Sequence, residues 1–221
     1  MVIIHGNVHP MASDAIADGF VRFENGKIVS VGPMAEYAPQ AGEDVLDAGG
    51  QFVMPGMVDA HCHIGLIGDS LGFEGDDVNE ITDAATPQLR AVDGINPLDR
   101  CFSEALAAGV TTVVTLPGSA NPVGGQAAAI KTCGRRVDDM VIRAPEAMKF
   151  ALGENPKRCY KDRDETPMTR MGTAAVIREQ LYKAREYMEK LSEAAQAFID
   201  FATSDAASEL IVNAGAVPVA K

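Results

Sequence analysis

A change in residue pattern at Pro55-Gly56 divides the chain into two parts that favour different architectures. Before this point, runs of residues that favour β-structure predict short strands at residues 2–4, 19–23 and 27–31. The last two strands are joined by Asn25-Gly26, a dipeptide that accepts the positive φ angles of a tight hairpin. We therefore predict a small β-lobe over residues 1–53, which Pro55-Gly56 separates from the next part.

Beyond Pro55-Gly56, strand-like and helix-like runs alternate along the chain. Strands are predicted at residues 57–63, 110–116, 127–132 and 147–152, and a helix at residues 98–108 that ends at Gly109. The first of these strands is of the type that is buried in a sheet. The alternation predicts an α/β domain over residues 54–172, with a parallel sheet covered by helices.

A loop is predicted at residues 117–126, directly after the strand at 110–116. It contains Gly124-Gly125-Gln126 and lies where barrel enzymes place the loops that contact substrate. The loop lacks the lysine and the strand-helix context of a phosphate-binding motif, so it does not indicate nucleotide binding.

A long amphipathic helix is predicted at residues 173–202, within a C-terminal helical segment of residues 173–221. Its apolar residues recur at steps of four and three along one face: Ile177, Leu181, Ala184, Met188, Leu191, Ala195, Phe198 and Ala202. We expect this face to pack on the protein's own core rather than in a coiled-coil dimer, because several of its residues are alanines. A second, shorter helix is predicted at residues 205–212.

The charge and composition argue against nucleic acid and membranes as partners. The 221 residues carry a net charge of -12, which would repel phosphate backbones and anionic lipids. No apolar run approaches the roughly 18 residues of a membrane helix. The first residues lack the features of a signal peptide, and the four cysteines form no CxxC pair. We expect a cytoplasmic protein with a small-molecule substrate.

His61 and His63 form the motif that says most about possible chemistry. Side chains two apart in a strand point to the same side, so both imidazoles can reach one ion while Cys62 faces the opposite way. Neutral imidazole binds zinc and other divalent transition metals, which lower the pKa of a bound water. For the pair taken alone, two ordinary core or surface histidines are an equal alternative.

The residues around this pair resemble the amidohydrolase superfamily, in particular its imidazolonepropionase-like and prolidase-like branch. The resemblance covers about residues 1–191 and is carried by three stretches: 54–63 (MPGMVDAHCH), 104–113 (EALAAGVTTV) and 148–158 (MKFALGENPKR). It implies a β-sandwich-like lobe ahead of a (β/α) TIM-type barrel, and hydrolysis of a carbon-nitrogen bond in an amide, lactam or related small molecule by metal-activated water. It gives His61 and His63 the role of metal ligands and Asp59 that of a structural acid.

The resemblance also implies a further metal-binding group from a middle strand. In this superfamily a carboxylated lysine or a glutamate often bridges two metal ions, which makes Lys149 and Glu154 candidates. For each of them, a solvated charge at a strand end is the alternative. The expected cofactor is therefore one or two divalent metal ions, with zinc as the preferred identity.

The chain departs from the family pattern after residue 63. Relatives complete the site with two further histidines and a catalytic aspartate, whereas this chain has no histidine beyond His63. Since a (β/α)₈ barrel takes about 250 residues, we expect a truncated, partial barrel whose missing groups would come from another polypeptide. The alternative is a non-catalytic half-barrel that assembles with itself, as a homo-oligomer, or with a complementary chain that covers its sheet edge.

The end of the chain carries a second, slighter resemblance. Residues 195–202, 204–210 and 215–219 look like the closing helices and tail of periplasmic solute-binding proteins. This likeness would fit a fused product, and it implies a small-ligand binding module only by analogy of fold, which does not carry function.

Overall fold

A computed structural model describes residues 1–68, 71–202 and 204 of the chain. The chain divides into two compact units. The first contains residues 1–59 and 105–112, and the second contains residues 60–104 and the residues from 113 onwards. Sheets and helices are both present, so the predicted α/β class is confirmed.

The first unit is built on one β-sheet of five strands. These are β1 (Val2–Val8), β2 (Ile16–Glu24), β3 (Lys27–Pro33), β4 (Val45–Asp47) and β5 (Phe52–Val53). Their order is β3-β2-β1-β4, and β5 also pairs with β1. β1, β2 and β3 are antiparallel, whereas β4 and β5 run parallel to β1. The buried side chains of Val2, Val8, Phe20 and Val21 form the core of this sheet.

The turn between β2 and β3 confirms the predicted hairpin. Asn25 and Gly26 have φ angles of 51° and 73°, a left-handed conformation that these two residue types adopt at little cost. The flanking strands pair from Glu24 with Lys27 outwards to Gly19 with Pro33. The local sequence was therefore sufficient to place this part of the lobe.

After β5, the described residues form six further strands and five α-helices. The strands are β6 (Met57–Cys62), β7 (Val110–Thr115), β8 (Val123–Gln126), β9 (Ala128–Lys131), β10 (Val141–Arg143) and β11 (Met148–Phe150). The helices are α1 (Ala91–Gly94), α2 (Arg100–Ala107), α3 (Val137–Met140), α4 (Glu154–Lys161) and α5 (Arg170–Ala202). Gly109, with a φ of 86°, follows α2 as predicted.

The strands form a sheet of order β10-β9-β7-β6 and a second sheet of β11 and β8. β10 pairs with β9, and β11 with β8, in antiparallel fashion. The prediction of a parallel sheet is therefore wrong for these pairs. Between β9 and β10 the chain has room only for the short helix α3, which is less than a parallel crossover requires.

β6 confirms the predicted strand, but the expectation that it is buried is wrong. Its residues from Met57 to His61 are all exposed, and Val58 keeps 65% of its accessible surface. β6 lies at the end of the sheet order, where β7 is its strand neighbour among the described residues, and none of the described helices packs closely against its faces.

α5 confirms the long predicted helix and begins three residues earlier, at Arg170. The expectation that its apolar face packs on the protein's own core is wrong, because every residue from Leu181 to Phe201 is exposed. The predicted helix at 205–212, and most of the segment that resembles solute-binding proteins, lie outside the described residues. Within residues 1–68, 71–202 and 204, no helix combines the length and apolarity needed to cross a bilayer.

Candidate metal centre

His61 and His63 lie at the carboxyl end of β6, where the strand ends at Cys62. Their ring centroids are 5.5 Å apart and the ring planes are nearly perpendicular, at 89°. This proximity is what the alternation of side chains along a strand predicts for residues two apart. The two imidazoles are therefore close enough to contact the same small ligand.

The His63 ring is oriented by a backbone carbonyl. Its Nδ1 lies 2.7 Å from the carbonyl oxygen of Leu116, which follows β7. Because a carbonyl can only accept, Nδ1 donates in this hydrogen bond, and in the neutral form of the ring Nε2 then keeps its lone pair. A histidine held in this way by its other ring nitrogen has the orientation and tautomer of a metal ligand.

Lys149 on β11 approaches the same place from a distant part of the chain. Its Nζ lies 3.3 Å from Nε2 of His61, and the residue is only 7% exposed. The ammonium can only donate, so Nε2 of His61 acts as the acceptor. Burial lowers the pKa of the Lys149 amine from its ordinary value, because desolvation disfavours the charged form.

A neighbouring strand explains why Lys149 reaches His61. β11 pairs with β8, and Lys149 lies opposite Gly125. A Cβ placed on Gly124 would come within 3.2 Å of Cγ of Lys149, so the aliphatic part of the lysine passes over a position without a side chain. The assignment of Gly124-Gly125-Gln126 to a loop is therefore wrong. These residues belong to β8, and Gly124 gives Lys149 its space.

Glu154 occupies a different environment. It begins α4, and its carboxylate contacts Nζ of Lys157 at 2.9 Å and a guanidinium nitrogen of Arg170 at 3.6 Å. The hydrogen bond from Lys157 lowers the pKa of Glu154 below its ordinary value. Its carboxylate is thus engaged in surface ion pairs, which is the solvated alternative considered for it from the sequence.

Asp99 supports the chain just beyond the histidines and was missed by the sequence analysis. This buried carboxylate accepts a hydrogen bond from the backbone of Gly65 at 3.2 Å and another from the backbone of Cys101 at 2.9 Å. The second bond caps the start of α2. An aspartate at the start of the helix predicted at residues 98–108 was the signal that could have found it.

Three buried polar side chains, those of Tyr160, Asn121 and Thr86, form a hydrogen-bond network. The hydroxyl of Tyr160 donates to the carbonyl of Asp83 at 2.7 Å and lies 3.1 Å from Oδ1 of Asn121. The amide nitrogen of Asn121 in turn donates to Oγ1 of Thr86 at 3.0 Å. The network ties residues 83–86 to the segment that leads into β8. No short-range pattern in the sequence marks such a long-range set of bonds.

These residues offer part of a metal coordination sphere. The two imidazole Nε2 atoms are neutral donors of the kind that zinc and similar ions accept. Lys149 can contribute once its amine carries no proton or has reacted with carbon dioxide. Among residues 1–68, 71–202 and 204, no three His, Cys, Asp or Glu side chains are grouped closely enough to hold an ion by themselves. The donor set fits a metal that takes further ligands from elsewhere.

Two known proteins are similar in sequence to this chain over part of their length. Amidohydrolase tasK of Hapsidospora irregularis is 36% identical over 186 residues, which is 78% of this chain and 19% of that protein. The imidazolonepropionase of Streptomyces griseus is 31% identical over 167 residues, which is 68% of this chain and 40% of the relative. No family model matches the chain.

A solved structure shows the same similarity in three dimensions. The amidohydrolase from Thermotoga maritima MSB8 has 44% sequence identity and a TM-score of 0.82, over 88% of this chain and 50% of that one. The chain thus spans half or less of the length of each of these three relatives.

Proposed function

Because this chain belongs to the amidohydrolase superfamily, we propose that it forms part of a metal-dependent hydrolase acting on a carbon-nitrogen bond of a small molecule. The approach of Lys149 to His61, beside a correctly oriented His63, is the observation that carries the proposal. An amide, lactam or related compound is the proposed substrate class.

In this proposal His61 and His63 hold a divalent metal, with zinc as the preferred ion, through their Nε2 atoms. The bound ion would polarise the substrate carbonyl and lower the pKa of a water. The Leu116 carbonyl keeps the His63 ring in the tautomer that leaves Nε2 available. Asp99 fixes the backbone two residues beyond His63 and so limits the movement of that ring.

Lys149 is the proposed third group, as a carbamate formed with carbon dioxide. Its position against His61 supports this role, since a carbamate would place oxygen donors beside an imidazole nitrogen. Glu154 is the weaker candidate, because its carboxylate is already paired with Lys157. In this proposal, the proton that the leaving nitrogen needs comes from a group of another part of the full enzyme or of a second chain.

The test is the metal content of the purified full chain by mass spectrometry, after loading with zinc and dialysis against a weak chelator. We expect near-stoichiometric zinc in the parent chain, and none in the double variant His61→Ala, His63→Ala. His5→Asn is the matched control, because it removes a histidine of the first unit and asparagine tolerates the positive φ angle at this position.

Equal zinc in the parent chain and the double variant would refute the proposed site. Zinc lost in the His5→Asn control as well would show that retention depends on folding rather than on the two ligands. A circular dichroism spectrum of each variant separates these outcomes.

The second candidate function is a non-catalytic half-barrel that assembles with a complementary chain. The exposure of β6 on both faces favours it, because an uncovered edge strand with apolar side chains is a site for strand addition. Replacing the exposed Val58 with lysine should then abolish binding of the complementary chain, tested with the half of the Thermotoga maritima amidohydrolase that this chain does not match. Failure of the parent chain to bind that half would exclude this function.

A further inference from the structure

α5 carries a regular apolar face that the described residues leave in solvent. Its large side chains are Leu181, Met188, Leu191 and Phe198, each between 51% and 69% exposed. Together with Ala184 and Ala195 they form what we call the α5 seam, with spacings of three, four, three, four and three. This is the spacing at which two helices interlock their side chains along their whole contact.

The side of the helix opposite the α5 seam carries acidic residues at a regular spacing. Glu179, Glu186, Glu193 and Asp200 recur every seven residues and therefore lie on the side opposite the seam. Lys183 pairs with Glu179 at 2.7 Å, away from the seam. None of the six residues of the α5 seam is charged, and the charged side chains opposite the seam are suited to water.

The order of side-chain sizes along the α5 seam is the same in both directions. Large, small and large residues at 181, 184 and 188 are followed by large, small and large residues at 191, 195 and 198. Two copies of the helix laid antiparallel about a point between Met188 and Leu191 would place Leu181 opposite Phe198, Ala184 opposite Ala195, and Met188 opposite Leu191. A twofold interface requires such self-complementarity.

The position of the folded body also favours antiparallel pairing. The first turns of α5 are packed, with Thr173 almost fully buried, and the exposed part begins about two turns later. A parallel pair would bring both bodies, each part of a chain of net charge -12, to the same end of the helices. An antiparallel pair separates them and reduces this repulsion.

We propose that the α5 seam is a dimerisation surface and that its occupant is the same helix of a second copy of this chain, in antiparallel orientation. Exposed Tyr187, Ile199 and Phe201 flank the seam and would widen the apolar contact. The proposal is independent of metal binding, because the α5 seam contains no candidate ligand.

Sedimentation equilibrium of the full chain tests the proposal. We expect a dimer, and a rise in its dissociation constant of more than about a hundredfold in the double variant Met188→Glu, Leu191→Glu, because charges would be buried in the central layers. The double variant Tyr182→Glu, Ala197→Glu is the matched control. It adds the same charges to α5 outside the seam and should remain dimeric.

The orientation is tested by oxidation of the double variant Leu181→Cys, Phe198→Cys, followed by mass spectrometry of the linked peptides. Antiparallel pairing predicts disulfides between position 181 of one copy and position 198 of the other. A monomeric parent chain, a dimer that survives the seam variant, or links of 181 to 181 would each overturn the proposal. The dissociation constant of the dimer should be the same before and after zinc is removed. This result distinguishes failure of the dimer proposal from failure of the metal-site proposal.

Discussion

Nζ of Lys149 lies 3.3 Å from Nε2 of His61, although the two residues are 88 positions apart in the chain. The contact joins a buried cation to an imidazole rather than to a carboxylate. An ammonium at this position would repel a divalent metal bound to His61. A carbamate on the same nitrogen would reverse the charge and supply oxygen donors, so the modification and the metal should stabilise each other.

We predict that zinc retention depends on bicarbonate and on Lys149. With ¹³C-labelled bicarbonate and zinc, the parent chain should show a carbamate resonance in its carbon NMR spectrum, and Lys149→Met should lose both this signal and most of the zinc. Lys157→Met is the control, since Lys157 pairs with Glu154 on α4. Zinc binding that is indifferent to bicarbonate and to Lys149→Met would leave the two histidines without their proposed third group.

A second prediction concerns the space that Gly124 gives to Lys149. Gly124→Ala should reduce zinc affinity several-fold while the protein remains folded, because the new methyl group would lie 3.2 Å from Cγ of Lys149 and displace its amine. Gly153→Ala is the matched control, since a Cβ at Gly153 meets nothing within 4 Å. Zinc titrations of both variants by calorimetry would show the difference, and equal affinities would contradict the assigned role of Gly124.

The parts of the fold that the sequence predicted correctly are those determined by local chemistry. Asn25-Gly26 indicated a hairpin because few other dipeptides accept its backbone angles. The period of apolar residues on α5 indicated a helix for a similar local reason. Burial was predicted less well, since the exposure of Val58 on β6 and of Leu181 on α5 depends on which other segments lie nearby.

In the candidate site, too, features set by local sequence could be predicted and long-range contacts could not. The spacing of His61 and His63 placed two rings together, because strand geometry alone ensures it. The proposed preference for Lys149 over Glu154 rests on the pairing of β11 with β8, which no local pattern reveals. Asp99 was missed because its contact with Gly65 joins residues 34 positions apart.

We predict that Tyr160→Phe destabilises the protein by about 1–3 kcal/mol, because the carbonyl of Asp83 would lose the hydrogen bond that the buried hydroxyl of Tyr160 donates to it. Burial raises the pKa of Tyr160 to about 12. The unfolded chain would lose this proton first, near the ordinary value of 10, so the parent chain should lose stability as the pH rises above about 10.

Chemical denaturation of Tyr160→Phe at pH 8 and pH 11 measures both effects. The difference in the free energy of unfolding between parent and variant should be smaller at pH 11, because only the parent has to keep this phenol protonated in its folded state. Tyr182→Phe changes an exposed hydroxyl on α5 and should have little effect at either pH. A difference in stability between parent and variant that is larger at pH 11 than at pH 8 would show that Tyr160 does not cause the loss of stability at high pH.

The last prediction concerns the ion pair between Arg22 and Glu43 in the first unit. Nε of Arg22 donates to Oε1 of Glu43 at 2.6 Å, and the two side chains are 11% and 6% exposed. This hydrogen bond lowers the pKa of Glu43 below its ordinary value of 4.5. The folded state therefore releases the proton more readily than the unfolded state. Its stabilising effect is present above about pH 4.5 and is lost as the pH falls through the lower pKa of the folded state.

Glu43→Gln should accordingly lower the melting temperature at pH 7, and the difference from the parent chain should shrink progressively below pH 4.5. Glu104→Gln is the matched control. It breaks an exposed pair with Arg100, whose atoms are 3.5 Å apart, and pairs of this kind contribute little to stability. Thermal melts of the three proteins from pH 3 to pH 8 would measure the effect. Because the amide introduced by Glu43→Gln cannot titrate, a constant difference across this range would mean that the contribution of Glu43 does not depend on its charge.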